Sequence, residues 1–252
     1  MRWVDLADRG VAALERWWLP GECLLCLRAV PAREQDALVC AACRRSWSPV
    51  APPWCRRCGE TLDAPWDRDP VTEEGGCHLC VGWPPGLDSV RSAVWLAGSA
   101  REAVHLLKYE GWWRVAEVMA AAMRDLETLA PGVVLAPMPL GRRRERERGF
   151  NQAERLASAL GRVARLRMCP GLLERTRETA TQTRLTPEAR RANVHGAFRG
   201  HRGAVGARVV LVDDVFTTGA TLQAAAAALH AAGAARVDAV TFARGTGPLP
   251  RT

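Results

Sequence analysis

No apolar run in this chain approaches the ~20 residues that a membrane-spanning helix requires. The N-terminus also lacks the uninterrupted core of a secretory signal. In "MRWVDLADRGVAALERWWLP" the residues Asp5, Asp8 and Glu15 break the apolar pattern, which instead suits a short amphipathic helix over residues 1–20. These absences predict a cytoplasmic protein without a membrane span. Lysine is almost missing: Lys108 is the single lysine among 35 basic residues. The arginine bias says little about function, but it leaves one amine to account for. Tryptophan is absent beyond residue 113, although the chain has 10.

The length of 252 residues accommodates a medium domain plus a small one. With 48% hydrophobic and 25% charged residues, the composition is that of a globular chain and excludes a disordered one. A net charge of +8 permits binding of phosphates or nucleic acid without demonstrating it.

Cysteine is concentrated at the front. "CLLC" (Cys23, Cys26), "CAAC" (Cys40, Cys43), "CRRC" (Cys55, Cys58) and "CHLC" (Cys77, Cys80) are four CxxC turns. Each aims two sulfurs at one point, and two turns together make a four-thiolate zinc site. Without a secretion signal, a disulfide framework is the weaker reading. Two structural zinc ions are therefore expected in a double zinc ribbon over residues 21–86. Sequential pairing of the turns is favoured over cross-braced pairing, because consecutive turns close over short loops. Four thiolates leave no open position for water, so neither site is expected to be catalytic. His78 reads as a bystander and Cys169 as a buried core thiol. Trp47, Trp54, Trp66 and Trp83 read as packing around the ribbons, with base stacking as the alternative.

From about residue 87 the pattern alternates. "SVRSAVWLAG", "GVVLAPMPL", "RVVLVDD" and "ARVDAVTFARG" read as strands. "AREAVHLLKYEG", "WRVAEVMAAAMRDLETL", "NQAERLASALGRVARL" and "GATLQAAAAALHAAGA" read as helices, with Asn151 as an N-cap. This predicts an α/β domain over residues 87–245, with helices on both faces of a parallel sheet. A disordered tail is expected over 246–252. In such sheets ligands bind beyond the carboxyl ends of the strands.

At one such end stands "VVLVDDVFTTGAT", residues 209–221. Two adjacent carboxylates there repel each other and cost desolvation, so a ligand or counter-charge is implied. The turn after them offers hydroxyls from Thr217, Thr218 and Thr221. It also offers backbone N–H groups around Gly219 and Ala220 and the positive end of a helix, which together make a cradle for a phosphate monoester. Asp213 and Asp214 suit the hydroxyls of a ribose beside that phosphate, met directly or through a hydrated divalent metal. The arginine run "RRRERER" (Arg142 to Arg148) reads as a basic loop at the same sheet edge.

Residues 209–221 resemble the binding motif of type I phosphoribosyltransferases for phosphoribosyl pyrophosphate (PRPP). The CxxC array, "LKYEG", "RGFNQA" and "RTRETATQTRLTPEARRANVHGAF" are together similar to the ComF family of competence-associated proteins, and the similarity covers nearly the whole chain. The family usually carries histidine just before the arginine run, where this chain has Gly141. The resemblance implies a type I phosphoribosyltransferase-like fold that binds PRPP with Mg2+. Asp213 and Asp214 would be the catalytic carboxylates. Pro137 to Pro139 and Arg142 would contact pyrophosphate. Arg175, Thr181 and Gln182 would lie on a loop that closes over PRPP, with Arg190 and Asn193 anchoring it, and Lys108 and Tyr109 would stand near the entrance. It further implies a role in DNA uptake, with single-stranded DNA and proteins of the uptake machinery as partners. No residue identifies an acceptor for a transferase. A nucleic-acid-binding factor with a regulatory or vestigial PRPP site is the alternative, and competition between DNA and PRPP at the shared sheet edge would follow from the placement of the arginine run.

Overall fold

A computed structural model describes residues 21–30, 38–62, 77–178 and 193–245 of the chain. In chain order its strands are β1 (Ser89–Trp95), β2 (Val134–Pro137), β3 (Arg167–Met168), β4 (Leu173–Arg175), β5 (Phe198–Gly200), β6 (Arg208–Phe216) and β7 (Arg236–Arg244). Its helices are α1 (Ala41–Arg45), α2 (Gly98–Tyr109), α3 (Val115–Met123), α4 (Arg142–Arg148), α5 (Gln152–Ala164) and α6 (Ala220–Ala231). The N-terminal helix and the C-terminal tail expected from the sequence lie outside the described residues, as does Trp66.

The main sheet has the order β1-β7-β6-β2-β3, and every pairing in it is parallel. β6 and β7 occupy the middle, which is why their apolar runs are nearly continuous rather than alternating. The two faces still separate with period two along β6. Val210 and Val212 join a core with Leu107 of α2, Met119 of α3, and Leu156 and Leu160 of α5. Val209 and Leu211 join a second core with Leu222, Ala225 and Leu229 of α6.

Each core also takes in one half of the cysteine-rich segment. Cys23, Cys40 and Trp47 pack into the first, and Cys55, Cys58, Cys77, Cys80 and Trp83 into the second. Trp47 meets Phe242 of β7 edge-on at 4.9 Å. The segment is also hydrogen-bonded to β1: Val50 N donates to Ala93 O at 3.1 Å and Trp95 N to Ser48 O at 2.8 Å. Trp47 and Trp83 are thus core residues, as the packing reading expected.

Six elements depart from the sequence reading. The helix expected over 113–129 ends at Met123, after which Leu126 N and Leu129 N bond back three residues to Met123 O and Leu126 O in successive turns. β6 continues through both aspartates to Phe216. The arginine run is not a loop but helix α4, ended by Gly149 at φ 77°, because arginine and glutamate are good helix formers. β3, β4 and β5 have two or three residues each, too few to show a period. β4 and β5 pair Arg175 with Phe198, joining the two ends of the expected PRPP-covering stretch. Cys169 is half-buried at the margin of the second core.

Candidate functional site

The eight paired cysteines form two clusters, Cys23, Cys26, Cys40, Cys43 and Cys55, Cys58, Cys77, Cys80, so the turns pair sequentially. Facing sulfurs lie 3.8 Å (Cys23–Cys43), 3.9 Å (Cys26–Cys40), 3.6 Å (Cys55–Cys80) and 3.5 Å (Cys58–Cys77) apart. A tetrahedron with Zn–S bonds of about 2.3 Å has edges of about 3.8 Å, whereas a disulfide requires about 2.05 Å. The clusters therefore fit two structural zinc ions. His78, between two ligands, is exposed and is not in the cluster.

The second site opens at the carboxyl end of the sheet as a cavity of about 750 Å³. β6 brings Asp213, Asp214 and Val215 to it and the turn after it brings Thr217; β2 leads into Met138 and Pro139; α2 delivers Lys108 and Tyr109. Asn151 both caps α5, accepting from Ala153 N at 3.0 Å, and donates to Met138 O at 3.0 Å, which fixes the turn around Pro139. Gly219 opens α6 at φ +75°. A Cβ there would stand 3.0 Å from Phe216 and 3.1 Å from Trp83 at a left-handed φ, so any side chain would be strained and would press on both rings. Gln223 Nε2 donates to Thr218 O at 3.4 Å and steadies the same turn.

Lys108 settles what the lone lysine does. Its Nζ lies 2.7 Å from Asp214 Oδ2, and Asp214 is only 3% exposed. Burial works against the ammonium, but Asp214 and then Asp213 outweigh it, so the proton affinity of Lys108 rises and it stays charged. Asp213 moves the other way from an ordinary carboxylate. Burial, then repulsion from Asp214, pushes it up to about 8 against the opposing pull of Lys108. Its Oδ1 accepts from Asp214 N at 2.9 Å. The two carboxylates thus differ: Asp214 is paired with the lysine, and Asp213 has its proton affinity raised.

Cations surround the pair. Lys108, Arg143, Arg144, Arg148 and Arg175 line the cavity against Asp213, Asp214 and Glu147. Arg148 sits over the Tyr109 ring at 5.2 Å. Burial and the neighbouring Arg144 lower the proton affinity of Arg175, as befits a guanidinium in a crowded positive site. Such a wall accepts a polyanion while the two aspartates accept hydroxyls or a metal.

Of the expected contacts, Lys108, Pro139, Arg175, Asp213, Asp214, Thr217 and Thr221 come together around this cavity. Thr218, Gly219 and Ala220 form the adjoining turn without lining it. Arg142 is exposed outside the lining, and its helical neighbours Arg143, Arg144 and Arg148 take that wall instead. Thr181, Gln182 and Arg190 lie outside the described residues. Asn193 is half-buried and accepts through its carbonyl from Arg177 at 3.1 Å. The sequence reading missed Gln152, which is 7% exposed, lines the cavity and keeps its Oε1 without a hydrogen-bond partner among the described residues. Its place in the first turn of α5 was the available signal.

Two family models match the chain. The phosphoribosyl transferase domain matches residues 147–250 and the double zinc ribbon domain matches residues 14–81. The competence protein ComFC of Bacillus subtilis (strain 168) is 30% identical over 244 residues, covering 88% of this chain and 94% of that protein. The DNA utilization protein YhgH of Escherichia coli (strain K12) is 30% identical over 228 residues, covering 87% of this chain and 95% of its own. Competence protein F of Haemophilus influenzae is 26% identical over 216 residues, covering 82% and 90%.

Proposed function

Since the chain belongs to the ComF and YhgH family, in which a double zinc ribbon is joined to a phosphoribosyltransferase domain, we propose that its cavity binds PRPP with Mg2+. The observation that carries this reading is the meeting of Asp213 and Asp214 with the threonine turn in a cavity lined by five cations. The turn at the start of α6 takes the phosphate through its N–H groups and the hydroxyls of Thr217 and Thr221. The aspartates accept the ribose hydroxyls and hold the metal, whose charge offsets the pyrophosphate. Arg143, Arg144, Arg148 and Arg175 receive the pyrophosphate oxygens. In a transferase these same guanidiniums would stabilise negative charge on the leaving group as the bond to the anomeric carbon breaks.

The second part of the proposal is single-stranded DNA as a partner in the cytoplasm. Support comes from the net charge of +8 and from relatives named for competence and DNA utilization. The cytoplasmic assignment also suits eight thiols that must stay reduced to hold zinc. Among the described residues no helix is long and apolar enough to cross a membrane.

Calorimetry with PRPP tests the cavity. Binding is expected to require Mg2+, and Asp214→Asn is expected to weaken it by about 1–3 kcal/mol, the scale for losing a charged hydrogen-bond partner. Asp213→Asn serves as the partner variant, because it leaves the pair between Lys108 and Asp214 in place. Unchanged affinity in both would remove the assignment.

The raised proton affinity of Asp213 yields a separate expectation. Free protein below about pH 8 holds a proton there, and a ligand that uses the carboxylate must expel it. Affinity therefore rises with pH up to the pKa of Asp213 and flattens above it, by at most about tenfold per pH unit. At neutral pH, titrations in buffers of different ionisation enthalpy should record release approaching one proton. That release should vanish in Asp213→Asn; an unaltered release there would assign the proton elsewhere.

A further inference from the structure

A second cavity, of about 960 Å³, opens at the other end of the same sheet. The strands there begin rather than end: Ser89 of β1, Arg208 of β6 and Arg236 of β7 stand on its wall, facing the ribbon residues Trp54, Arg56 and Arg57. β6 separates it from the PRPP cavity, with Asp213 five positions beyond Arg208, or about 17 Å of strand.

Its charges do not cancel. Five arginines and three carboxylates line it. Arg91 pairs with Glu127 at 2.6 Å and Arg236 with Asp238 at 2.7 Å. Asp88 accepts from Val237 N at 2.9 Å and faces His230 at 4.0 Å. Among the described residues Arg57 donates to carbonyls alone, those of Cys80, Trp83 and Pro84. Arg56 and Arg208 are exposed and have no carboxylate partner among the described residues. Three guanidiniums are thus left over, on two separate elements.

Two further features give the cavity a chemistry. Trp54 is half-buried in the wall, its indole held by the Arg91 guanidinium 5.5 Å from the ring centroid. Thr128 Oγ1 is buried in the same wall with no hydrogen-bond partner among the described residues. Surplus cations on two elements suit repeated phosphates. An accessible indole suits an unstacked base, which a single strand offers and a duplex withholds.

Resting on the nucleic-acid part of the proposed function, we infer that this cavity is the docking groove for single-stranded DNA. The strand lies between the second zinc ribbon and the amino-terminal edge of the sheet, with phosphates on Arg56, Arg57 and Arg208 and a base against Trp54. DNA and PRPP then occupy opposite ends of the sheet and bind together. This replaces the competition expected when the arginine run alone was considered, because Arg143, Arg144 and Arg148 belong to the PRPP cavity.

The test is fluorescence anisotropy of the full-length zinc-loaded protein with a labelled oligothymidylate across a salt series. The variant is the double substitution Arg56→Glu and Arg208→Glu, which touches two exposed side chains outside the PRPP cavity. It is expected to weaken DNA binding at least tenfold at low salt while leaving PRPP affinity unchanged. The slope of log affinity against log salt should shrink by about 1.4, since each single-strand phosphate contact contributes about 0.7. Saturating Mg2+ and PRPP should displace no oligonucleotide. Wild-type binding that survives the double substitution, or that PRPP competes away, overturns the groove and leaves the nucleic-acid reading standing. Thymidine monophosphate binding as tightly as the oligonucleotide overturns a strand as the occupant. No wild-type binding at low salt overturns the nucleic-acid reading itself.

Discussion

Removing zinc is expected to unfold both faces of the sheet together, not merely to loosen the N-terminal segment. Cys23 and Cys40 are packed into the core beneath α2, α3 and α5, and Cys55, Cys58, Cys77 and Cys80 into the core beneath α6. A structural four-thiolate zinc contributes about 10 kcal/mol or more of folding free energy, comparable to the whole stability of a domain, about 5–15 kcal/mol. Losing either ion therefore removes support that the apolar cores cannot replace. Chelation should abolish the near-ultraviolet circular dichroism of the buried tryptophans and lower the melting temperature steeply. Metal analysis should find two zinc ions per wild-type chain and about one in Cys58→Ser. That variant should also lose PRPP affinity, because Trp83 buttresses the turn at Gly219. A reduced, metal-free sample that melts as cooperatively and as late as the loaded protein would refute the structural role.

Arg244→Ala carries the second large effect. Arg244 ends β7 and is only 3% exposed. It donates to Glu60 Oε2 through Nε at 2.9 Å and also through Nη2, and to Cys58 O through Nη1 at 2.8 Å. Its guanidinium lies 4.5 Å from the Phe216 ring centroid. One side chain thus ties the second ribbon to Phe216, the last residue of β6 before the threonine turn. Truncating it strands the largely buried Glu60 without a counter-charge, which costs about 3–5 kcal/mol when a buried pair is broken from one side. Urea unfolding measures the loss. A double variant with Glu60→Gln should regain part of it, because the uncompensated charge is then gone. A loss below about 1 kcal/mol would mean that the pair behaves like an exposed one.

Much of this was legible in the chain. The CxxC turns determined both zinc sites, because two ligands three residues apart are already preorganised and only the partner turn has to be found. The central strands were legible because β6 and β7 are buried on both faces and their apolar runs admit little else. Asp213, Asp214 and the threonine turn were readable together because a strand end, a tight turn and a helix start lie within a few residues. Other features depended on packing. That Lys108 is the counter-ion of Asp214 follows from α2 crossing to β6, a contact between residues 106 positions apart for which no local pattern exists. Which arginines of the run would line the cavity was decided by the turn of α4 against it. Of the amino-terminal groove the sequence offered only Trp54, as a residue that could stack a base, and not the groove itself. Its cations and its indole come from the ribbon and from the first residues of β1, β6 and β7, and only the closing of the sheet against the ribbon leaves them facing one space with charge to spare.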